Sequence, residues 1–422
     1  MPAERVVVNV GPLQRSGRIQ AIDVLRGVAL LGIVVVNAKF FGLPLAEQMD
    51  GGIHEGTLLD RIANLIVVTA AEFKFVSLFS LLFGFGLAMQ RQRRHAIGEG
   101  FGWFGVRRMA LLGIFGFLHA IGIWYGDILF IYAGVGLLLI PLLQLGATIR
   151  LVVGTIAIGW SATAIAALGA LILVATPEQP DPSTVDTSLR GLDAARAAWF
   201  DPQHPIWIAA ETEAFRSGPY LDAVIFRSLT WSQTLFFALF CFGWQMLGMA
   251  LIGTWMHDVG MFGREGTDLR RRLAAIAFPI GCLLSIGCGA VYWFGPKDAP
   301  LGIIAQGVQI VSAALMAVGG AGLLTIVVDA GRLPGAATLA TVGRMSLTAY
   351  LLESVVFMGL MSHWGFGWFG QLSSAGLVGL SLVVYLLVAG FCILWSRRFR
   401  MGPVEWIWRS ASYLGRTAAD SR

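Results

Sequence analysis

The sequence predicts an all-α, polytopic integral membrane protein with about ten transmembrane helices and both termini cytoplasmic. Three observations predict it. Hydrophobic residues make up 56% of the 422-residue chain and charged residues only 13%, against about 25% in soluble domains. Apolar runs near the roughly 20 residues needed to cross a bilayer recur along the chain. The basic residues also alternate between connecting segments: 21 of the 30 Lys and Arg fall on segments that an even number of crossings places on one side, and seven on the other. That bias matches the positive-inside rule. It explains the formal charge of +5 without nucleic acid as a partner.

The runs fall at approximately 22–43, 62–90, 105–125, 127–145, 149–176, 228–256, 273–296, 301–328, 338–361 and 372–395. They divide into a five-span half (1–176), an outer loop (177–226) and a second five-span half (227–422). The first run is long enough to span and is followed by no small-residue cleavage site, so no cleavable signal is expected.

The first run carries a polar stripe within RIQAIDVLRGVALLGIVVVN. Asp23 and Arg26 are three residues apart, share a helix face and are expected to pair. Asn37 is eleven residues beyond Arg26, about 20° off the same face and about 16 Å along the axis. Polar groups at such depth are costly and mark candidate functional sites. The second run, TAAEFKFVSLFSLLFGFGLAMQ, is overlong and holds Glu72 and Lys74, so a break or a surface-lying first half is expected. Two residues apart, these side chains point to different faces, and each needs a partner from another span or from water.

The third and fourth runs form a hairpin, RRMALLGIFGFLHAIGIWYGDILFIYAGVG, opened on the basic side by Arg108. His119 lies six residues before the turn, about 9 Å below its top. An imidazole there can act as a general acid or base near neutral pH. Asp127 starts the next helix, where it can cap the N-terminus or orient His119. His54, in the first outer loop, is the alternative base.

The 177–226 loop opens with TPEQPDPSTVD and carries eight acidic residues against Arg190, Arg196 and Arg216. Segments such as LRGLDAARAAWF read as short amphipathic helices lying over the outer face. Late in the chain, in GRMSLTAYLLESVV, Ser346, Tyr350, Glu353 and Ser354 recur at helical spacing and make one polar face with a carboxylate near mid-membrane. The tail SRRFRMGPVEWIWRS is basic and aromatic. Trp406 and Trp408 are expected at the inner interface, with Glu405 beside a nearby arginine.

Four cysteines (Cys241, Cys282, Cys288, Cys392) sit in apolar runs without a CxxC pair or His-rich cluster, so neither disulfides nor a metal are expected. No GxSxG elbow, Walker loop or HExxH motif is present.

The segments AIDVLRGVALLGIVVVN, EFKFVSLFSLLFGFG, RRMALLGIFGFLHAIGIWYGDILFIYA, GRMSLTAYLLES and FRMGPVEWIWR together resemble the YeiB-like bacterial membrane proteins. The C-terminal half of that family is catalogued as a domain of unknown function. The DxLRG start is also similar to that of the wider transmembrane acyltransferases, including heparan-alpha-glucosaminide N-acetyltransferase and the O-acyltransferases of bacterial surface sugars. That likeness implies a multi-pass protein of the inner (plasma) membrane that moves an acyl group from cytoplasmic acyl-CoA, as co-substrate, to a small-molecule, lipid or glycan acceptor. A core histidine would serve as base. In the sugar enzymes that histidine ends the first motif helix, where this chain has Asn37; in the glucosaminide enzyme it follows in the next outer loop, which leaves His54 or His119 as base here.

On this reading Asp127 or Glu72 orients the base and Asn37 donates to the oxyanion. Arg26, with Asp23 and Lys74, meets the donor. Arg108, Ser346, Tyr350, Glu353 and Glu405 are substrate-contacting or structural. The competing class is a proton-coupled transporter using Asp23, Glu72, Lys74, His119 and Glu353; a third is a non-catalytic assembly protein. Nothing in the sequence speaks against a homodimer.

Overall fold

A computed structural model describes residues 20–49, 56–175, 181, 183, 185–295 and 301–413. Among them the chain is all helical, with no strand. In order the helices are α1 (Gln20–Gly42), α2 (Leu45–Met49), α3 (Leu58–Ile66), α4 (Lys74–Ala96), α5 (Gly102–Gly122), α6 (Leu129–Leu142), α7 (Ala147–Ala175), α8 (Gly191–Ala197) and α9 (Pro205–Arg216). They continue with α10 (Tyr220–Phe237), α11 (Gly243–Asp258), α12 (Thr267–Phe294), α13 (Leu301–Asp329), α14 (Ala336–Arg344), α15 (Ser346–Met361), α16 (Ser374–Ser396) and α17 (Pro403–Tyr413).

Among the described residues, eight helical stretches are long and apolar enough to cross a membrane: Gln20–Gly42, Leu58–Ala96, Gly102–Gly122, Ala147–Leu171, Tyr220–Asp258, Thr267–Phe294, Leu301–Asp329 and Ser374–Ser396. Every expected run has a helix, but three of the ten differ from a straight span. The run at 127–145 shortens to the 14 residues of α6, about 21 Å, because its first residues go into the turn and cap before Leu129. The run at 338–361 is bent by 89° between α14 and α15. Met345 leaves helical geometry there (φ −114°, ψ 36°), and a carboxylate from elsewhere meets the opened helix. Glu405 Oε1 accepts from the backbone N–H of Leu347 at 2.7 Å and of Thr348 at 3.1 Å. In return Thr348 Oγ1 accepts from Val404 N at 3.2 Å. Each of α15 and α17 thus supplies an acceptor for the other's unsatisfied first turn. Glu405, expected beside an arginine, is a helix cap.

The overlong second run does break. A π-helical turn at Val67–Ala71 leads to Phe73 in left-handed geometry (φ 61°), and α4 begins at Lys74. Carbonyls freed at such a break must be satisfied within the protein in an apolar setting. Lys74 Nζ donates to Val68 O at 2.8 Å and to Gln309 Oε1 at 2.6 Å. Gln309 Nε2 also reaches Val68 O at 3.2 Å, and Ser285 Oγ donates to Thr69 O at 2.6 Å.

The N- and C-terminal halves pack through one another. α1 lies against α14 and α16, α4 against α11, and α7 against α13. The α1–α14 crossing depends on absent side chains: a Cβ at Gly27 would sit 2.2 Å from Leu339 O, and one at Gly343 would sit 1.9 Å from Asp23 O. The turns sort onto two ends. The arginine-rich end joins Arg107 to Ala411 O at 2.8 Å and Arg150 to Asp258. The opposite end joins Asp60 to Ala375 N at 2.9 Å and Gly370 N to Gly42 O at 2.7 Å. There α8 and α9 cover the bundle, with Ala194, Trp207, Ala210 and Phe226 buried beneath them.

Candidate active site

The α5–α6 hairpin builds the site. α5 stops where the backbone N–H groups of Ile123 and Trp124 both turn back to the carbonyl of His119 at 2.9 Å. Asp127 then uses its two oxygens differently. Oδ1 accepts from Phe130 N at 2.8 Å, which caps α6, and Oδ2 bonds His119 Nδ1 at 2.8 Å. The cap and the orienting carboxylate, alternatives in the sequence, are one residue doing both. His119 is 2% exposed and Asp127 1%. With Nδ1 engaged, the other ring nitrogen of His119, Nε2, is buried and has no partner.

Close approach of the two helices requires Gly116. A Cβ there would lie 2.3 Å from Phe130 N and 2.6 Å from Asp127 Oδ1, so any side chain would push α6 off α5.

α15 closes the third side. The Tyr350 ring lies 5.4 Å from that of His119, and its hydroxyl accepts from Ile128 N at 3.3 Å. The Trp124 ring is 6.3 Å away on the other flank. One turn along α15 from Tyr350, Glu353 is 2% exposed, and its Oε1 has no hydrogen-bond partner. Ser354 Oγ returns to Tyr350 O at 3.1 Å, a packing role. Ser346 opens α15 and is half-buried.

The α1 stripe approaches this hairpin at one end and leaves it at the other. Asp23 and Arg26 pair at 3.5 Å near the arginine-rich end, and Tyr385 of α16 donates to Gly27 O at 2.9 Å beside them. At the far end of α1, Phe40 O accepts from Trp124 Nε1 and from the Tyr125 hydroxyl, both at 3.2 Å. Asn37 is half-buried one turn earlier on α1. Glu72 is buried at the break in the second run, held apart from the dyad with Lys74. Arg108 stacks its guanidinium over Trp408 at 4.0 Å and accepts from the indole N–H on its carbonyl at 3.1 Å, tying α17 to the start of α5. His54 lies outside the described residues.

Two buried ionisable residues went unmarked in the sequence because they sit in or just after the segment that reads as loop. Glu211 on α9 is fully buried and accepts from Leu45 N at 3.2 Å. Burial, opposed by that bond, pushes its carboxyl up to about 8. Arg227 on α10, counted among the outer basic residues, is likewise fully buried. No local spacing distinguishes either; only the packing of α8–α10 shows them.

Comparison with known proteins adds a family. Residues 258–415 match the family described as "Protein of unknown function (DUF418)". Similar proteins include the uncharacterized protein YeiB of Escherichia coli (strain K12), 29% identical over 92% of this chain and 94% of the relative. YxaH of Bacillus subtilis (strain 168) is 27% identical over 96% of this chain and 97% of its own. The chain is similar to the YeiB-like proteins over nearly its whole length. An uncharacterized 39.9 kDa protein in the amylase 3' region of Bacillus acidopullulyticus is also similar, at 24% identity over 95% of this chain and 96% of the relative. The DUF418 match takes in α15, α16 and α17, hence Tyr350, Glu353 and Glu405. The His119–Asp127 dyad lies before that match, in the half that the full-length likenesses add.

Proposed function

We propose that this protein is an integral membrane acyltransferase, taking an acyl group from cytoplasmic acyl-CoA to a hydroxyl or amine acceptor at or beyond the outer face. The observation that carries the reading is the buried dyad. Asp127 holds His119 through Nδ1 and leaves Nε2 unengaged, as a general base needs. In the reaction, Nε2 removes the acceptor proton while the acceptor oxygen or nitrogen attacks the thioester carbonyl. The tetrahedral intermediate then expels the thiolate, and the imidazolium returns its proton to it, giving the acylated acceptor and free coenzyme A thiol. Asp127 stabilises the imidazolium through the Nδ1 proton. Tyr350, against the imidazole face, shields it from water. In this closed conformation the dyad is sealed, so substrates enter through movement of the α5–α6 turn or α15. On the positive-inside orientation, the Asp23–Arg26 pair and the arginine-rich turns face the donor's phosphates. Asn37 is the proposed oxyanion donor on the acceptor side.

The test is transfer or hydrolysis of label from radiolabelled acyl-CoA by the purified protein. Wild type should release coenzyme A, His119→Ala should abolish the release, and Asp127→Asn should lower it by about 10²–10⁴-fold. Absence of acyl-CoA binding by the wild type sinks the proposal. A second reading, a proton-coupled transporter, draws on Glu353, a buried carboxyl with an unpartnered oxygen. It predicts substrate flux in proteoliposomes that requires a proton gradient and is lost in Glu353→Gln.

A further inference from the structure

Arg227 is fully buried on α10. Its Nε donates to the carbonyl of Ile121 at 2.9 Å, in the last turn of α5, where a cation meets the negative end of the helix. Apart from Tyr220, nothing polar among the described residues engages the rest of the guanidinium. Neither Nη1 nor Nη2 has a hydrogen-bond partner, and no carboxylate among the described residues pairs with it. Its nearest polar neighbour is neutral. The Tyr220 ring lies 4.9 Å from the guanidinium, and its hydroxyl gives its proton to Gly122 O at 2.9 Å. The ring of His363 stands 6.1 Å from that of Tyr220. His363 Nδ1 too is buried without a partner. Burial first, and the Arg227 charge second, hold this imidazole below its ordinary pKa, opposed by a backbone hydrogen bond to Ala214.

A fully buried cation with its terminal nitrogens empty and no counter-charge is strongly unfavourable. A guanidinium fork bonded at Nε and open at both Nη matches two oxygens of one oxyanion. The site lies at the end of the bundle opposite the arginine-rich turns, among exposed Tyr220, Leu221 and Trp364, the aromatic belt expected at the level of lipid headgroups. At that depth phosphate is the abundant oxyanion.

We propose that Arg227, walled by Tyr220 and His363, binds a phosphate group, either that of an anionic lipid headgroup or free phosphate. Tyr220, half exposed, is the way in. This site is separate from the dyad: Ile121, which holds Arg227, is on the opposite face of α5 from His119, and the proposal stands without acyl transfer.

The experiment places the full-length protein in phosphatidylcholine nanodiscs. One arm titrates inorganic phosphate, and the other replaces part of the lipid with phosphatidylglycerol. Thermal unfolding and native mass spectrometry report binding. Saturable stabilisation is expected in at least one arm, and which arm responds identifies the source. Arg227→Gln should weaken binding by at least about tenfold, and Arg227→Lys by less. His363→Ala leaves the Ile121 bond intact, so it tests the site even where Arg227 variants fail to fold, and it should weaken binding several-fold. Two results overturn the proposal: no saturable effect in either arm for wild type, or binding unchanged in His363→Ala.

Discussion

Replacing Gly116 by alanine tests how the dyad is built. Alanine is the better helix former by about 1 kcal/mol, so in an open position the change stabilises. At Gly116 the new methyl carbon would stand 2.3 Å from Phe130 N and 2.6 Å from Asp127 Oδ1. Ordinary contact needs about 3.5 Å or more, so the start of α6 must retreat by about 1 Å. That retreat pulls on the 2.8 Å bond between Asp127 and His119 and on the cap at Phe130 N. Overpacking costs about 1–3 kcal/mol, and a weakened buried charge-assisted bond about 1.5–3 kcal/mol. The expected loss is about 2–5 kcal/mol after the helix gain is subtracted. Gly134 on α6 is the control, since a Cβ there meets nothing within 4 Å, and Gly134→Ala should be neutral or slightly stabilising. Unfolding in detergent or nanodiscs measures both. Nitrogen NMR of labelled histidine reads the His119 tautomer. A Gly116→Ala protein as stable as wild type, with the same His119 nitrogen shifts, would refute the claim that this contact sets the dyad.

Other outcomes follow from the same geometry. Glu405→Ala removes the acceptor from the first turn of α15 and should cost about 1–3 kcal/mol. It should also release α17, seen as faster tryptic cleavage after Arg397 and Arg398; unchanged cleavage would argue against the reciprocal cap. Glu211 stays protonated to about pH 8 in the fold, against a reference of 4.5. The folded state therefore binds more protons than the unfolded one between these values, and stability falls as pH rises from 4.5 to 8, then levels. The loss is on the order of a few kcal/mol, and hydrogen exchange in α9 should quicken over that range. Glu211→Gln should flatten the dependence; a wild-type profile that rises with pH contradicts the assignment.

Much of the site was legible from local spacing. Asp23 and Arg26 pair because three residues on a helix share a face whatever surrounds them. His119 and Asp127 meet because a tight turn between antiparallel helices returns the chain beside itself. The break in the second run was legible too, since an unpaired lysine and glutamate two apart cannot both be served by one straight apolar helix. Glu405 was harder. Its partners are 57 and 58 residues away in the chain, and only the bend at Met345 exposes the amides it caps.

Composition and the distribution of arginines by themselves determined an all-helical, multi-pass membrane protein and the positions of its apolar runs, because burial in lipid demands long apolar helices with every backbone group bonded internally. They also determined the hairpin that carries the dyad. Tertiary structure decided the rest: that α6 is short, that α14 and α15 bend, that Tyr350 closes on His119, and that Glu211 and Arg227 are buried. Those outcomes depend on which helix faces come together, and a contact between residues a hundred or more apart leaves no periodic trace in the sequence of either.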